Sequence, residues 1–188
     1  IHLQPQVEEE LKSLLEQGII EPADGPTPWV SPLVAVPKRN THKIRICVDM
    51  RIPNTAIERE RHPGPHLNDM ISCLNGAKLF SKLDLLKGYH QLVLNPQSRY
   101  ITTFSSHIGL FRYKRLSFGV SSAAEIFQEV IRKTIRPVKH CLNYSDDILV
   151  FGRTTEEHNA ALKDVCQHLE EAGLTLNEDK CELEKEEL

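Results

Sequence analysis

Apolar residues recur along the chain with two periods. Val7, Leu11, Leu14 and Leu15 have helical spacing and Gly18 follows where a helix commonly ends, so residues 7–17 are predicted as an amphipathic helix. Pro22, Gly25, Pro26, Pro28 and Pro32 then impose an irregular connector. The apolar runs at 33–36 and Ile44–Val48 predict two strands joined by the polar turn Arg39-Asn40-Thr41-His42. After the break at Pro63-Gly64-Pro65, Leu67–Leu74 predicts a short helix and residues 78–83 a strand that ends at Asp84. Residues 101–104 and 110–113 predict two further strands around a turn at 105–109. Ala124, Phe127, Val130 and Ile131 set a helix over Ala123–Ile135, with Ser121 and Ser122 as N-cap candidates. Residues 142–151 form a hairpin with acid at its tip, 156–172 a long helix stopped by Gly173, and 174–176 the start of another strand. Strands arranged as hairpins and mixed with helices predict an α+β fold.

Composition changes this picture little. The 188 residues are 40% hydrophobic and 26% charged, as in a soluble globular chain able to bury a core. No run approaches the roughly 18 consecutive apolar residues of a membrane span, so no membrane partner is expected. The start Ile1-His2-Leu3-Gln4-Pro5 has neither an initiator Met nor a signal-peptide pattern, which reads as a piece of a longer, non-secreted protein. Cys47, Cys73, Cys141, Cys166 and Cys181 are widely spaced with no Cys-x-x-Cys, which argues against a disulfide framework or a zinc cage and for a reducing, intracellular setting. His62 and His66 lie in the Pro/Gly-rich stretch and make no metal set.

Charge distribution is more informative than the net −3. Lys38, Arg39, Lys43, Arg45, Arg51, Arg59 and Arg61 crowd one early segment, while Glu8 to Glu10 and residues 178–187 are acid-rich. A basic groove in a globally acidic molecule and a set of ordinary solvated faces are both compatible with this pattern.

The hairpin tip carries Asp146 beside Asp147. Adjacent like charges suit a divalent cation placed next to them, and an Asp pair equally suits a plain solvated turn. Asp84, ending the apolar strand Leu79-Phe80-Ser81-Lys82-Leu83, is a third carboxylate. A strand-end acid beside a hairpin-tip pair is the donor set that two-metal phosphoryl transfer requires; three independent surface acids is the alternative.

Phe80-Ser81-Lys82-Leu83-Asp84-Leu85, Gly88-Tyr89-His90-Gln91, Phe118-Gly119 leading into residues 123–128, and Tyr144-Ser145-Asp146-Asp147 together resemble the consecutive palm motifs of a reverse transcriptase. Trp29-Val30-Ser31-Pro32-Leu33-Val34 and Arg45-Ile46-Cys47-Val48-Asp49-Met50-Arg51 resemble its fingers, and the pattern is similar to that of gypsy-type long-terminal-repeat retrotransposons over nearly the whole chain. The resemblance implies right-hand polymerase fingers at 1–78 and 101–119 and palm at 79–100 and 120–188. The palm would be an antiparallel, ferredoxin-like (RRM-like) sheet backed by helices. It also implies template-directed, two-metal transfer of dNTPs to a primer 3′-OH on RNA or DNA. Asp84 and Asp146 would hold two Mg²⁺ ions, for which Mn²⁺ could substitute, with Asp147 supporting them. Lys38 and Arg45 would grip the triphosphate, Tyr89 would act as steric gate against the ribose 2′-OH, and Phe118 and Gly119 would pass beneath the nucleotide. Tyr144 and Ser145 would neighbour the primer terminus. Lys180 roughly matches a lysine proposed as general acid toward pyrophosphate, and reads equally as an exposed surface lysine.

Ser117 stands where the family usually has Pro, Ser121 and Ser122 replace Lys-Asn, and Ala124 replaces Pro. The resemblance places Leu188 just before the primer-grip hairpin, so thumb, connection and RNase H regions of the same polyprotein are expected partners and extension by the fragment alone is expected to be weak. The alternative is a non-catalytic, retroelement-derived module that binds nucleic acid or protein.

Overall fold

The computed structural model describes residues 3–37, 44–59, 67–144 and 146–187. Along them the chain runs α1 (Gln4–Glu16), β1 (Ile20–Pro22), β2 (Ser31–Pro37), β3 (Ile44–Val48), α2 (Leu67–Leu74), β4 (Leu79–Asp84), β5 (Phe104–Ser106) and β6 (Gly109–Tyr113). It continues through α3 (Ala123–Ile135), β7 (Cys141–Tyr144), β8 (Asp147–Gly152), α4 (Thr155–Glu171) and β9 (Glu182–Lys185). Contacts divide the chain into two compact units, one of Ile1–Arg59 with Leu92–Ala123, the other of Glu60–Gln91 with Ala124–Leu188. In the first unit residues 92–95 pair alongside 114–116: Leu94 N–H donates to Lys114 O and Leu116 N–H to Leu92 O.

In the first unit the strands order β1-β6-β5-β2-β3, antiparallel except for the parallel β2/β5 pair. On β3 the alternation buries Ile44, Ile46 and Val48 and leaves Arg45 exposed. The α1 stripe of Val7, Leu11 and Leu14 covers that inner face together with Ile19 and Ile20. Phe104, fully buried, packs its ring 6.0 Å from Phe111 and 5.6 Å from Tyr113. Burying a side chain of this size is worth about 1.5–3 kcal/mol, so α1 and this aromatic cluster hold the unit together.

One predicted strand is absent here. Residues 101–104 were expected to be extended, yet Pro96–Thr102 form 3₁₀ turns and only Phe104 joins β5. Asn95 caps the turns by accepting Gln97 N–H at 3.0 Å, and the Thr102 and Thr103 hydroxyls donate back to Arg99 O and Tyr100 O at 2.7 Å. These local bonds outcompete the β-branched preference for strand.

The second unit runs β4-α3-β7-β8-α4-β9, with sheet order β7-β8-β4-β9 and every neighbouring pair antiparallel. This is the split β-α-β, ferredoxin-like arrangement expected of it. α3 buries Phe127, Ile131 and Ile135, and α4 buries Ala161, Val165 and Leu169 over β8 and β4. Thr154 caps α4 by accepting Glu157 N–H at 3.2 Å. Gly152 admits the close approach of α4, since a Cβ there would lie 2.5 Å from His158 N. The fully buried His158 ring is 2.9 Å from Ser81 Oγ, which also accepts Glu184 N–H at 3.0 Å, so one hydroxyl joins α4, β4 and β9.

Residues 174–176, expected to start a strand, make only the single bridge Leu85↔Leu176. The strand of that region is β9, whose residues are all exposed and which pairs with β4 across a bulge. Its Glu-Leu-Glu-Lys sequence has a single apolar residue, Leu183, which is exposed, so no buried face marks it as a strand. Among the described residues no helix is long and apolar enough to cross a membrane.

Candidate active site

Alternation along β4 buries Ser81 and Leu83 and turns Lys82 and Asp84 to the opposite face. The β4/β8 register sets Asp84 opposite Asp147, and the β7/β8 register sets Tyr144 opposite the same residue. Asp146 precedes Asp147 at the hairpin end. The sheet therefore brings Asp84, Asp146 and Asp147, read from the sequence as the reactive acids, to one strand end. Like charges directly across a ladder repel. Lys82, two residues before Asp84 and so on its face, relieves this by placing Nζ 3.0 Å from Asp147 Oδ2. That hydrogen bond, together with the Asp147 charge, raises the Lys82 pKa.

Asp84 is held from the other side. Asn177 N–H donates to Asp84 O at 2.9 Å and its side-chain Nδ2 to Asp84 Oδ1 at 3.3 Å. Lys180 Nζ lies 3.9 Å from Asp84 Oδ2 while its side chain stays 67% exposed. Asp146 differs from its neighbours: partial burial, then the charges of Asp147 and Asp84, push its carboxyl above the ordinary carboxylate value. Among the described residues no three His, Cys, Asp or Glu side chains cluster closely enough to hold an ion. The acids are grouped by register without forming a closed cage, with Asp147 turned to Lys82 and Asp84 to Asn177.

Tyr89 sits in the 3₁₀ turn Gly88–Gln91, entered through Lys87 and Gly88 at positive φ of 55° and 40°. Its ring meets Phe127 of α3 edge-on at 5.5 Å. Burial first, then the Asp146 and Glu125 charges, raise its phenol pKa, so the hydroxyl stays protonated. Tyr144 is 60% exposed on β7. Ser145 lies outside the described residues, as does Lys38.

The remaining predicted residues belong to the first unit. Arg45 is exposed on β3 opposite Val36. Phe118 is 49% exposed, and Gly119 takes φ +102° where a Cβ would press within 3.3 Å of Met50 Cγ and Val48 O. Asn54 pins this turn, donating to Gly119 O at 2.8 Å and accepting Ser121 N–H at 2.9 Å. Ser117 Oγ is buried without a hydrogen-bond partner among the described residues. Asp49 and Arg51 pair within one loop, with Arg51 Nη2 2.6 Å from Asp49 Oδ2. These hydrogen bonds lower the Asp49 carboxyl to about 2. The pair borders a cleft of about 660 Å³ lined also by Trp29, Ser31 and Pro53.

Lys82 and Asn177 were not singled out from sequence. For Lys82 a signal existed, since a residue two before Asp84 on a strand shares its face. Asn177 lies 93 residues from Asp84, and nothing local marks it.

The family model for reverse transcriptase (RNA-dependent DNA polymerase) matches residues 36–188. The chain is 34% identical over 188 residues to the retrovirus-related Pol polyprotein from transposon 297 of Drosophila melanogaster, covering 97% of this chain and 18% of that protein. It is 33% identical to the Pol polyprotein from transposon gypsy of the same organism, covering 96% and 18%. A structure of the foamy viral protease-reverse transcriptase in complex with double-stranded DNA superposes with a TM-score of 0.85 at 25% identity, covering 98% of this chain and 32% of that one. The chain thus spans 18% of the length of these two curated relatives.

Proposed function

The chain belongs to the reverse transcriptase (RNA-dependent DNA polymerase) family, and from that premise we propose that it adds dNTPs to a primer 3′-OH on an RNA or DNA template. The observation that carries this reading is the register setting Asp84 against Asp147 beside Asp146, whose carboxyl is pushed upward by burial first and then by the other two. Three carboxylates at one strand end, only partly offset by Lys82, are hard oxygen donors that fit Mg²⁺ or Mn²⁺. Asp84 and Asp146 would hold the metal; when bound, it supplies activation of the attacking hydroxyl and neutralisation of the departing pyrophosphate. Asp147 keeps Lys82 in place and adds negative potential. Tyr89, with its ring braced by Phe127, excludes a ribose 2′-OH, and Lys180 stands beside Asp84 to give a proton to pyrophosphate. Arg45, Phe118 and Gly119, with Lys38, handle the triphosphate and base. Arg is suited to a bidentate grip on phosphate and Gly to close backbone approach.

The partner is a template-primer duplex, a reading supported by the double-stranded DNA in the foamy viral protease-reverse transcriptase complex. An intracellular location is part of the proposal, supported by free thiols at all five cysteines. The test is primer extension on an RNA template with dNTPs and Mg²⁺ or Mn²⁺, comparing wild type with Asp146→Asn. Loss of incorporation by about 10²-fold or more is expected of the variant. Equal incorporation by the two proteins would leave the non-catalytic, nucleic-acid- or protein-binding module as the reading.

A further inference from the structure

Gln91 ends the turn that carries Tyr89, and its carboxamide is engaged at both ends. Nε2 donates to Leu86 O at 2.6 Å and to Thr175 O at 3.0 Å, while Oε1 accepts Thr175 N–H at 2.7 Å. One side-chain amide therefore takes both backbone groups of Thr175, as a neighbouring strand would. Its effect extends in two directions. Toward the turn, it closes the loop from Leu86 through Gly88 to Gln91 and so sets where Tyr89 departs from the backbone. Toward the acids, it holds residues 174–177 against the end of β4: Leu86 N–H donates to Thr175 O at 2.9 Å, Leu85 bridges Leu176, and Asn177 binds both the carbonyl and the carboxylate of Asp84.

We propose that Gln91 is a positioning residue that ties the Tyr89 turn and the Asp84 carboxylate to one shared segment, residues 174–177, so that gate and metal-binding acid are set together. The second half of this statement rests on the function proposed above; the mechanical half does not. Replacing Thr175's partner by water would free the 174–177 segment, and Asn177 with it, from the end of β4. A carboxylate in its place keeps the Thr175 N–H bond but faces Leu86 O and Thr175 O with no donor, so Gln91→Glu should resemble Gln91→Ala more than wild type.

Two measurements test this on the whole chain. Amide hydrogen exchange followed residue by residue should show Leu86 N–H and Asn177 N–H, neither bonded to Gln91, exchanging about tenfold faster in Gln91→Ala, with α4 and the α1–β3 core unchanged. Unchanged exchange at these two amides overturns the tie itself. Single-nucleotide incorporation should then show the dNTP-over-rNTP preference falling by about threefold to tenfold in Gln91→Ala alongside a lower kcat. A lower kcat with unaltered sugar discrimination would overturn the coupling to Tyr89. Wild-type incorporation no higher than in Asp146→Asn would overturn the polymerase reading, and with it the proposal's link to a metal-binding acid, while the exchange result decides the tie.

Discussion

Glu21 and Asp49 of the first unit and the acids at the β4/β8 end of the second are held in opposite ways. In the first, Glu21 on β1 meets Arg112 of β6 at 2.7 Å and Arg99 at 3.3 Å, and Asp49 is gripped by Arg51. Burial acts to raise the Glu21 carboxyl, but the two guanidinium groups outweigh it, and both acids sit below their ordinary values. In the second unit Asp146 sits above its ordinary value, through burial and two neighbouring carboxylates. Forked Arg donors satisfy structural acids; the acids at the β4/β8 end have Lys or Asn for partners, or like charge. On the function proposed above, the second set is the one that would receive a cation.

The contrast can be broken most severely at Glu21. Its salt bridges are partly buried, Arg99 being only 15% exposed, so Glu21→Ala leaves two cations without their counter-charge. Allowing for solvent screening, we expect a loss of about 2 kcal/mol, seen as a fall in Tm of about 4–8 °C in calorimetry. A Tm unchanged within a degree would mean that the triad contributes nothing.

At Asp146 the sign reverses. A carboxyl with a raised folded-state pKa costs stability while ionised; the cost fades as pH falls through the raised folded value and is gone below the unfolded value of 3.8. Asp146→Asn should therefore raise Tm by about 1–3 °C at pH 7 and by nothing near pH 3, while adding Mg²⁺ should raise the Tm of wild type only. A variant less stable than wild type at pH 7 would contradict the repulsion inferred here.

The smallest effect is local to Asp49. Its lowered carboxyl contributes stability above the unfolded pKa that is lost as pH falls from about 4 toward 2. Carboxyl resonances followed by NMR should titrate near 2 in wild type and return toward 3.8 in Arg51→Ala. A midpoint that does not move would show that Arg51 is not the cause.

Much of this was legible in the chain. The heptad-like spacing of Val7, Leu11 and Leu14 gave α1, alternation at Ile44, Ile46 and Val48 gave β3, and the apolar flanks of Asp146 gave the β7/β8 hairpin, because each signal repeats within a few residues. Residues 101–104 misled because threonine's β preference is a weak bias beside three specific local hydrogen bonds. β9 was invisible because an exposed edge strand has no buried face to pattern.

The same distinction separates what the sequence determined for the site from what the tertiary structure decided. Order and spacing of motifs identified Asp84, Asp146 and Asp147 and the family they belong to, since residue type and local period are properties of short segments. That Asp84 faces Asp147 and Lys82 reaches across to neutralise it follows from a register, and that Asn177 and Gln91 brace the same strand end follows from contacts 84 to 93 residues apart. Such contacts are selected by the packing of the whole sheet, which no short stretch of the chain encodes.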